Sequence, residues 1–167
     1  MSEEQPRVAI CPGSYDPVTN GHLDVIGRTA KVFDRVVVGV VNNPVRKEKT
    51  LFTADERKAF IEDATADLGN VEVGIMSNLL VEFAREHGAT AIIKGLRAIS
   101  DFEYEFEMNQ LNRKLAPEIE SVYIIASPDY SFLSSTGVKE MAMFGGDVSD
   151  LVPASVATAL AEKASGR

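Results

Sequence analysis

The stretch Val8-Ala9-Ile10-Cys11-Pro12-Gly13-Ser14-Tyr15-Asp16-Pro17-Val18-Thr19-Asn20-Gly21-His22 decides the fold. Val8 to Cys11 is a short apolar run of strand type. Gly13 and Pro17 break it, and Leu23, Ile26, Ala30 and Phe33 then recur at helical spacing. A strand that enters a helix through a Gly-containing turn gathers backbone N–H groups and the positive end of a helix dipole at one place, which suits an anion. His22 stands at the start of that helix, one residue after Gly21, where the missing side chain lets a ligand approach the backbone. Ser14 lies in the facing turn, and the pair has the chemistry to hold phosphate. A lone histidine at a helix start is equally a capping or packing residue, so this stretch by itself leaves both roles open.

Outward from it, strand-like and helical patterns alternate. Arg35 to Val41 is a second strand, continuous in apolar residues as parallel-sheet strands are. Thr53-Ala54-Asp55-Glu56 reads as a capping box opening a helix through Ala59, Phe60, Ala64 and Leu68 to near Gly69. Val71 to Ile75 is a third strand, and Leu79 to Glu86 a short helix closed by His87-Gly88, where His87 is read as structural. Ala91-Ile92-Ile93 is a fourth strand running into Lys94-Gly95-Leu96-Arg97. Ser100-Asp101-Phe102-Glu103 then reads as the cap of a helix carrying Phe106, Leu111 and Leu115. Val122 to Ala126 is a fifth strand. A loop from Ser127 to Ser134 follows, then a helix around Val138 to Met141 that ends at Gly145-Gly146, and an Ala-rich helix from Pro153 to near Lys163. The pattern predicts an α/β, Rossmann-like, doubly wound five-stranded parallel sheet with helices on both faces. It predicts one domain over residues 1–167, with 1–6 as a flexible N-terminus.

Ligands of such sheets bind beyond the carboxyl ends of the strands, where strand order reverses. Ser14 to His22, the basic cluster Arg46, Lys47 and Lys49, Lys94 to Arg97, and Tyr130 to Thr136 all follow strands. Any one of these cations alone reads as solvated surface charge, but together they gather at one edge of the sheet. The 167 residues are 45% hydrophobic and 25% charged, ordinary for a globular chain, and none of its apolar runs approaches the roughly 20 residues of a membrane span. The acidic start Met1 to Gln5 is unlike a signal peptide, which points to the cytoplasm. A net charge of −8 argues against nucleic-acid and anionic-membrane partners while leaving room for a local basic cleft. The single cysteine, Cys11, rules out an internal disulfide and multi-thiolate metal sites, and its place on a strand reads as a buried, inert thiol.

Thr19-Asn20-Gly21-His22 resembles the T-x-G-H signature of the nucleotidyltransferase superfamily. Three longer segments resemble the bacterial phosphopantetheine adenylyltransferase family, over Val8 to Leu160. They are Pro12 to His22, then Lys94-Gly95-Leu96-Arg97 with Asp101-Phe102-Glu103-Tyr104-Glu105, then Tyr130-Ser131-Phe132-Leu133-Ser134-Ser135-Thr136 with Val138-Lys139-Glu140. The resemblance implies reversible transfer of AMP from ATP to 4′-phosphopantetheine, giving dephospho-coenzyme A and pyrophosphate by direct in-line attack without a covalent intermediate. The attacking phosphate is already anionic, so such a site needs donors and cations rather than a base. It further implies that His22 stabilises the transition state. Ser14, Tyr15, Gly95, Leu96, Arg97, Glu105 and Tyr130 to Thr136 would hold ATP, and Ser14, Leu80, Lys94 and a loop cation would hold the second substrate. Mg²⁺ would ride mainly on ATP phosphates with no metal ligand set of the protein's own. A homohexamer and inhibition by coenzyme A are implied too, with Phe132 and Met143 as interface candidates.

Plainer readings stand beside these. Leu80 suits a core, Asp101 to Glu105 a helix start, Ser134 to Thr136 an N-cap, and Met141 to Phe144 packing. The chain also departs from the family pattern. Its Val45 to Thr50 loop is longer, so the loop cation maps to Arg46 or Lys47, with the offset from Asn43-Pro44 favouring Arg46. Lys94 stands for a frequent Arg, Leu80 for a frequent Met, and Thr136-Gly137 for a Ser and a larger aliphatic residue, which could loosen that helix start. The competing functions are a nucleotidyltransferase for nicotinate mononucleotide or a sugar or alcohol phosphate, and a non-catalytic nucleotide-binding module.

Overall fold

Val- and Ile-rich runs form five strands in the computed structural model, which describes residues 5–45 and 49–166. They are β1 (Val8–Gly13), β2 (Arg35–Val41), β3 (Val71–Met76), β4 (Ala91–Leu96) and β5 (Glu120–Ile125). All pairings are parallel and the order is β3-β2-β1-β4-β5, so the winding reverses between β1 and β4. The helices are α1 (Asn20–Ala30), α2 (Ala54–Ala64), α3 (Leu80–Glu86), α4 (Ile99–Leu115), α5 (Ser135–Met143) and α6 (Ala154–Ser165).

Alternate strand residues feed two cores, because successive side chains of a strand point to opposite faces. Ala9, Cys11, Val36, Val38 and Ile93 pack with Ile26 of α1, Ile61 of α2, Val138 of α5 and Leu160 of α6. Val8, Ile10, Val37 and Ile92 pack on the other face with Val81, Phe83 and Ala84 of α3. Covering both faces is what makes the strands read as continuous apolar runs. The sheet is therefore doubly wound, as the alternating pattern predicts. Among the described residues no helix is long and apolar enough to cross a membrane.

Three local expectations need correction. The helix opened by Thr53 ends at Ala64 rather than near Gly69: the Thr65 hydroxyl donates to the Ile61 carbonyl at 2.7 Å, and the Leu68 amide closes a turn on Thr65 at 2.9 Å. Lys94, Gly95 and Leu96 belong to β4 itself, paired with Tyr123, Ile124 and Ile125 of β5. Ser100 does not cap α4, which begins at Ile99 after Ala98; the Asp101 carboxylate turns back instead and accepts the Arg97 amide at 3.0 Å. None of the residues of α4 is buried, and Phe102, Phe106, Leu111 and Leu115 are each about half exposed.

Candidate active site

A cleft of about 600 Å³ opens beyond the carboxyl ends of β1 and β4, at the reversal of strand order. The β1–α1 turn, the start of α4 and the start of α5 wall it.

The turn after β1 is held from within. Tyr15 takes a left-handed conformation, φ 48°, uncommon for a residue with a side chain, and a cis Asp16–Pro17 bond follows. The buried Tyr15 hydroxyl donates to the Cys11 carbonyl at 2.9 Å, so what Tyr15 can offer a ligand is backbone. Its ring leaves no room for a side chain at Gly13, whose Cβ would sit 3.0 Å from a ring carbon. The same ring meets His22 edge-on, with centroids 5.0 Å apart. Burial pushes the Cys11 thiol up to about 12, against a hydrogen bond from Thr29, which leaves it neutral and inert.

His22 serves a cap and faces the cleft at once. It is the third residue of α1, and Thr19 and His22 form a reciprocal capping box. The Thr19 amide donates to Nδ1 at 3.0 Å. An amide can only donate, so Nδ1 is the acceptor of the ring and the proton of the neutral imidazole sits on Nε2. The capping contact therefore fixes the tautomer and makes Nε2 a donor on a ring that lines the cleft.

Beneath this turn lies a charged network that the sequence reading did not find. The fully buried Asp16 carboxylate accepts the Leu51 amide at 2.9 Å, the Phe52 amide at 2.9 Å and the Lys139 ammonium at 2.9 Å. Burial alone would raise its pKa; the Leu51 amide, Lys139 and the Phe52 amide outweigh it and hold the carboxyl below its ordinary value. Arg57 of α2 is buried beside it and donates to the Ser14 carbonyl at 2.7 Å. A signal existed: Arg57 lies four residues before Ile61, on the inward stripe of an amphipathic helix. Nothing local joins Asp16 to Lys139, which lie 123 residues apart.

On the opposite wall, Lys94 and Glu105 form an ion pair at 3.3 Å. Arg97 donates to Asp101 at 3.2 Å through Nε and to the Leu133 carbonyl at 2.8 Å through Nη1, tying the end of β4 to the segment before α5. Despite its partial burial, Asp101 is held below the ordinary carboxylate range by the Arg97 amide and guanidinium. Ser134 caps α5 by accepting the Gly137 amide at 3.0 Å. The Ser135 hydroxyl donates to the Pro17 carbonyl at 2.8 Å, joining α5 to the β1–α1 turn.

The cleft thus gathers Ser14, Tyr15, His22, Lys94, Gly95, Arg97, Glu105, Tyr130, Leu133, Ser134, Ser135 and Thr136. It does not gather all the predicted residues. Leu96 is buried at the end of β4, the Ser131 hydroxyl donates to Pro128, and Phe132 is 71% exposed on another surface. Leu80 packs at the edge of the second core, and Met143 against the first. Arg46 and Lys47 lie outside the described residues. His87 closes α3, with Nδ1 2.8 Å from the Phe83 carbonyl. Among the described residues no group of three or more His, Cys, Asp or Glu side chains is placed to hold a metal ion. The two carboxylates of the cleft are engaged by Arg97 and Lys94, so the donor set suits a metal that arrives on a phosphate.

Residues 10–141 match the cytidylyltransferase-like family model. A phosphopantetheine adenylyltransferase of Rubrobacter xylanophilus is 58% identical over 88% of this chain and 88% of its own length. That of Alkaliphilus metalliredigens is 51% identical over 94% and 99%. Among solved structures, a protein of Vibrio parahaemolyticus described as a nicotinate-nucleotide adenylyltransferase superposes with a TM-score of 0.71 over 96% of this chain and 94% of its own, at 17% identity. That likeness speaks for the fold alone.

Proposed function

Because this chain belongs to the cytidylyltransferase-like family and, within it, to the phosphopantetheine adenylyltransferases, we propose that it transfers AMP from ATP to 4′-phosphopantetheine. The products are dephospho-coenzyme A and pyrophosphate, a step of coenzyme A synthesis. The observation that carries the reading is a single cleft holding Ser14, His22, Lys94 and Arg97, the first two from the turn after β1 and the start of α1, the other two from the end of the adjacent β4.

A phosphate oxygen of 4′-phosphopantetheine attacks the α-phosphorus of ATP. The new P–O bond forms as the bond to the β-phosphate oxygen breaks, and pyrophosphate leaves with that electron pair. The nucleophile is already anionic, so the protein supplies position and charge rather than a base. His22 donates through Nε2 to the α-phosphate as negative charge builds there, and its capping contact holds the ring in the donating tautomer. Ser14 and the Tyr15 amide bind the phosphates at the turn. Lys94 receives the phosphate of 4′-phosphopantetheine, which replaces Glu105 as its partner, while Glu105 turns to the nucleotide. Arg97 and the start of α5 enclose the triphosphate. A Mg²⁺ ion carried by ATP would supply positive charge that reduces the repulsion between the two anions, while Lys94 and Arg97 supply the cleft's own cations.

The loop cation, Arg46 or Lys47, contributes to the second substrate, and coenzyme A competes there as inhibitor. The protein acts in the cytoplasm as a homohexamer; the exposed apolar residues of α4 give it surface to bury between copies. The test offers MgATP with 4′-phosphopantetheine or with nicotinate mononucleotide, and follows pyrophosphate and product mass. Dephospho-coenzyme A from the first alone is the expected result. No product with either, alongside measurable ATP binding, rejects the proposal in favour of a nucleotide-binding module.

A further inference from the structure

Arg57 is 1% exposed, and among the described residues its hydrogen bonds go to carbonyl oxygens alone. Nε donates to Phe52 at 3.1 Å and Thr53 at 3.3 Å. Nη1 donates to Ser14 at 2.7 Å and Val41 at 2.8 Å, and Nη2 to Asn42 at 3.1 Å. One rigid planar group therefore ties the turn after β1 to the end of β2 and the start of α2. A lysine, with one nitrogen on a flexible stem, has no fork to span these positions.

The Ser14 contact has a consequence on the cleft side. Among the described residues only the Asp16–Pro17 bond is cis, so the Ser14–Tyr15 peptide is trans. In a trans peptide the C=O and the N–H point in opposite directions. The Ser14 carbonyl points inward to Arg57, so the Tyr15 N–H points away from it, and both residues line the cleft. A cation on the carbonyl also polarises the peptide and strengthens its N–H as a donor. The left-handed Tyr15 conformation, φ 48°, is one that a residue with a side chain keeps only where its surroundings hold it.

We infer that Arg57 is a positioning residue for adenylyl transfer: its buried guanidinium locks the Ser14–Tyr15 peptide with the Tyr15 N–H aimed at the phosphates in the cleft. The inference rests on the adenylyltransferase reading for its kinetics, but the aim of the amide can be tested without turnover. The chain holds four tyrosines, so protein labelled with ¹⁵N-tyrosine shows few backbone amide signals. Pyrophosphate is titrated into the wild type, Arg57→Lys and Ile61→Val. The last removes a buried methylene from the same helix and serves as a control for lost stability.

The Tyr15 amide is expected to shift with pyrophosphate in the wild type and Ile61→Val and to stay still in Arg57→Lys. In turnover, kcat of Arg57→Lys is expected to fall at least about tenfold while its KM for ATP changes less than about threefold, the sign of lost orientation. Ile61→Val is expected to keep kcat. The inference is overturned if the two variants match in kcat at matched stability, or if the wild-type Tyr15 amide ignores pyrophosphate. That second outcome needs only the wild type, so it decides the matter even where Arg57→Lys does not fold. A wild type that makes no dephospho-coenzyme A, yet shows the Arg57-dependent amide shift, sinks the adenylyltransferase reading and sustains the role of Arg57 at the anion site.

Discussion

Replacing Asp16 with Asn tests whether the network under the β1–α1 turn holds the site together. The wild-type carboxylate accepts the Leu51 and Phe52 amides and the Lys139 ammonium, each at 2.9 Å, with no exposure to water. An Asn side chain of the same shape can accept from one of these donors but turns its own NH₂ toward another, and it leaves the ammonium without its counter-charge. Breaking a buried pair in this way costs about 3–5 kcal/mol, a large share of the roughly 5–15 kcal/mol that holds a domain folded. With a urea m-value of about 2 kcal/mol/M, the unfolding midpoint falls by about 2 M. The assay is urea unfolding at one fixed protein concentration, because association would shift the apparent stability. The pH dependence carries a second check. The native Asp16 carboxyl is held below its ordinary value, so the native state binds its proton less readily than the unfolded state. Its contribution is therefore complete above the unfolded pKa of about 3.9 and is lost as pH falls through the lower native value. The gap between wild type and variant should be widest near neutrality and narrow below about pH 4. A loss under about 1 kcal/mol at neutral pH, or a gap that holds undiminished at about pH 3, refutes the reasoning.

Three further outcomes follow from other parts of the molecule. Cys11, buried and pushed up to about 12, should not react with Ellman's reagent near pH 8 in the native protein and should react fully in urea; fast native labelling contradicts its burial. Gly95→Ala places a Cβ 3.0 Å from Val25 Cγ2 of α1, so it should cost about 1–3 kcal/mol and displace α1 at the cleft; unchanged thermal stability and ATP affinity contradict the close approach. Phe106→Asp, on a helix with no buried residue, should leave circular dichroism intact while the mass by light scattering falls towards the 18.1 kDa protomer; an unchanged larger mass contradicts an interface on α4.

What the sequence disclosed was local. Apolar runs separated by helical spacing gave all five strands: β1, β2 and β4 are buried on both faces, and the edge strands β3 and β5, more exposed, still keep enough apolar residues to stand out. The Thr53–Glu56 capping box formed as its spacing requires, since both partners sit within one turn. Two local readings failed where a side chain chose a partner other than the helix: Thr65 closes α2 early, and Asp101 turns back to Arg97 instead of letting Ser100 cap α4. Phe106, Leu111 and Leu115 have helical spacing, but spacing cannot say whether the core of the chain lies beneath them, and it does not. The motif residues were legible at the cleft because strand ends converge there. The partners that fix them, Asp16 with Lys139 and Arg57 with Ser14, join segments 123 and 43 residues apart, and no short pattern records such pairs.

The central claim is that His22 acts on charge that develops during transfer rather than on the ground state. Its most direct test measures kcat for pyrophosphate release from MgATP and 4′-phosphopantetheine, together with the dissociation constant for ATP, in the wild type and His22→Ala. The expected result is a kcat lower by about 10²–10³ with ATP affinity within about threefold. An unchanged kcat, or a kcat and an ATP affinity that fall together by the same factor, contradicts the claim and leaves His22 as the capping residue of α1.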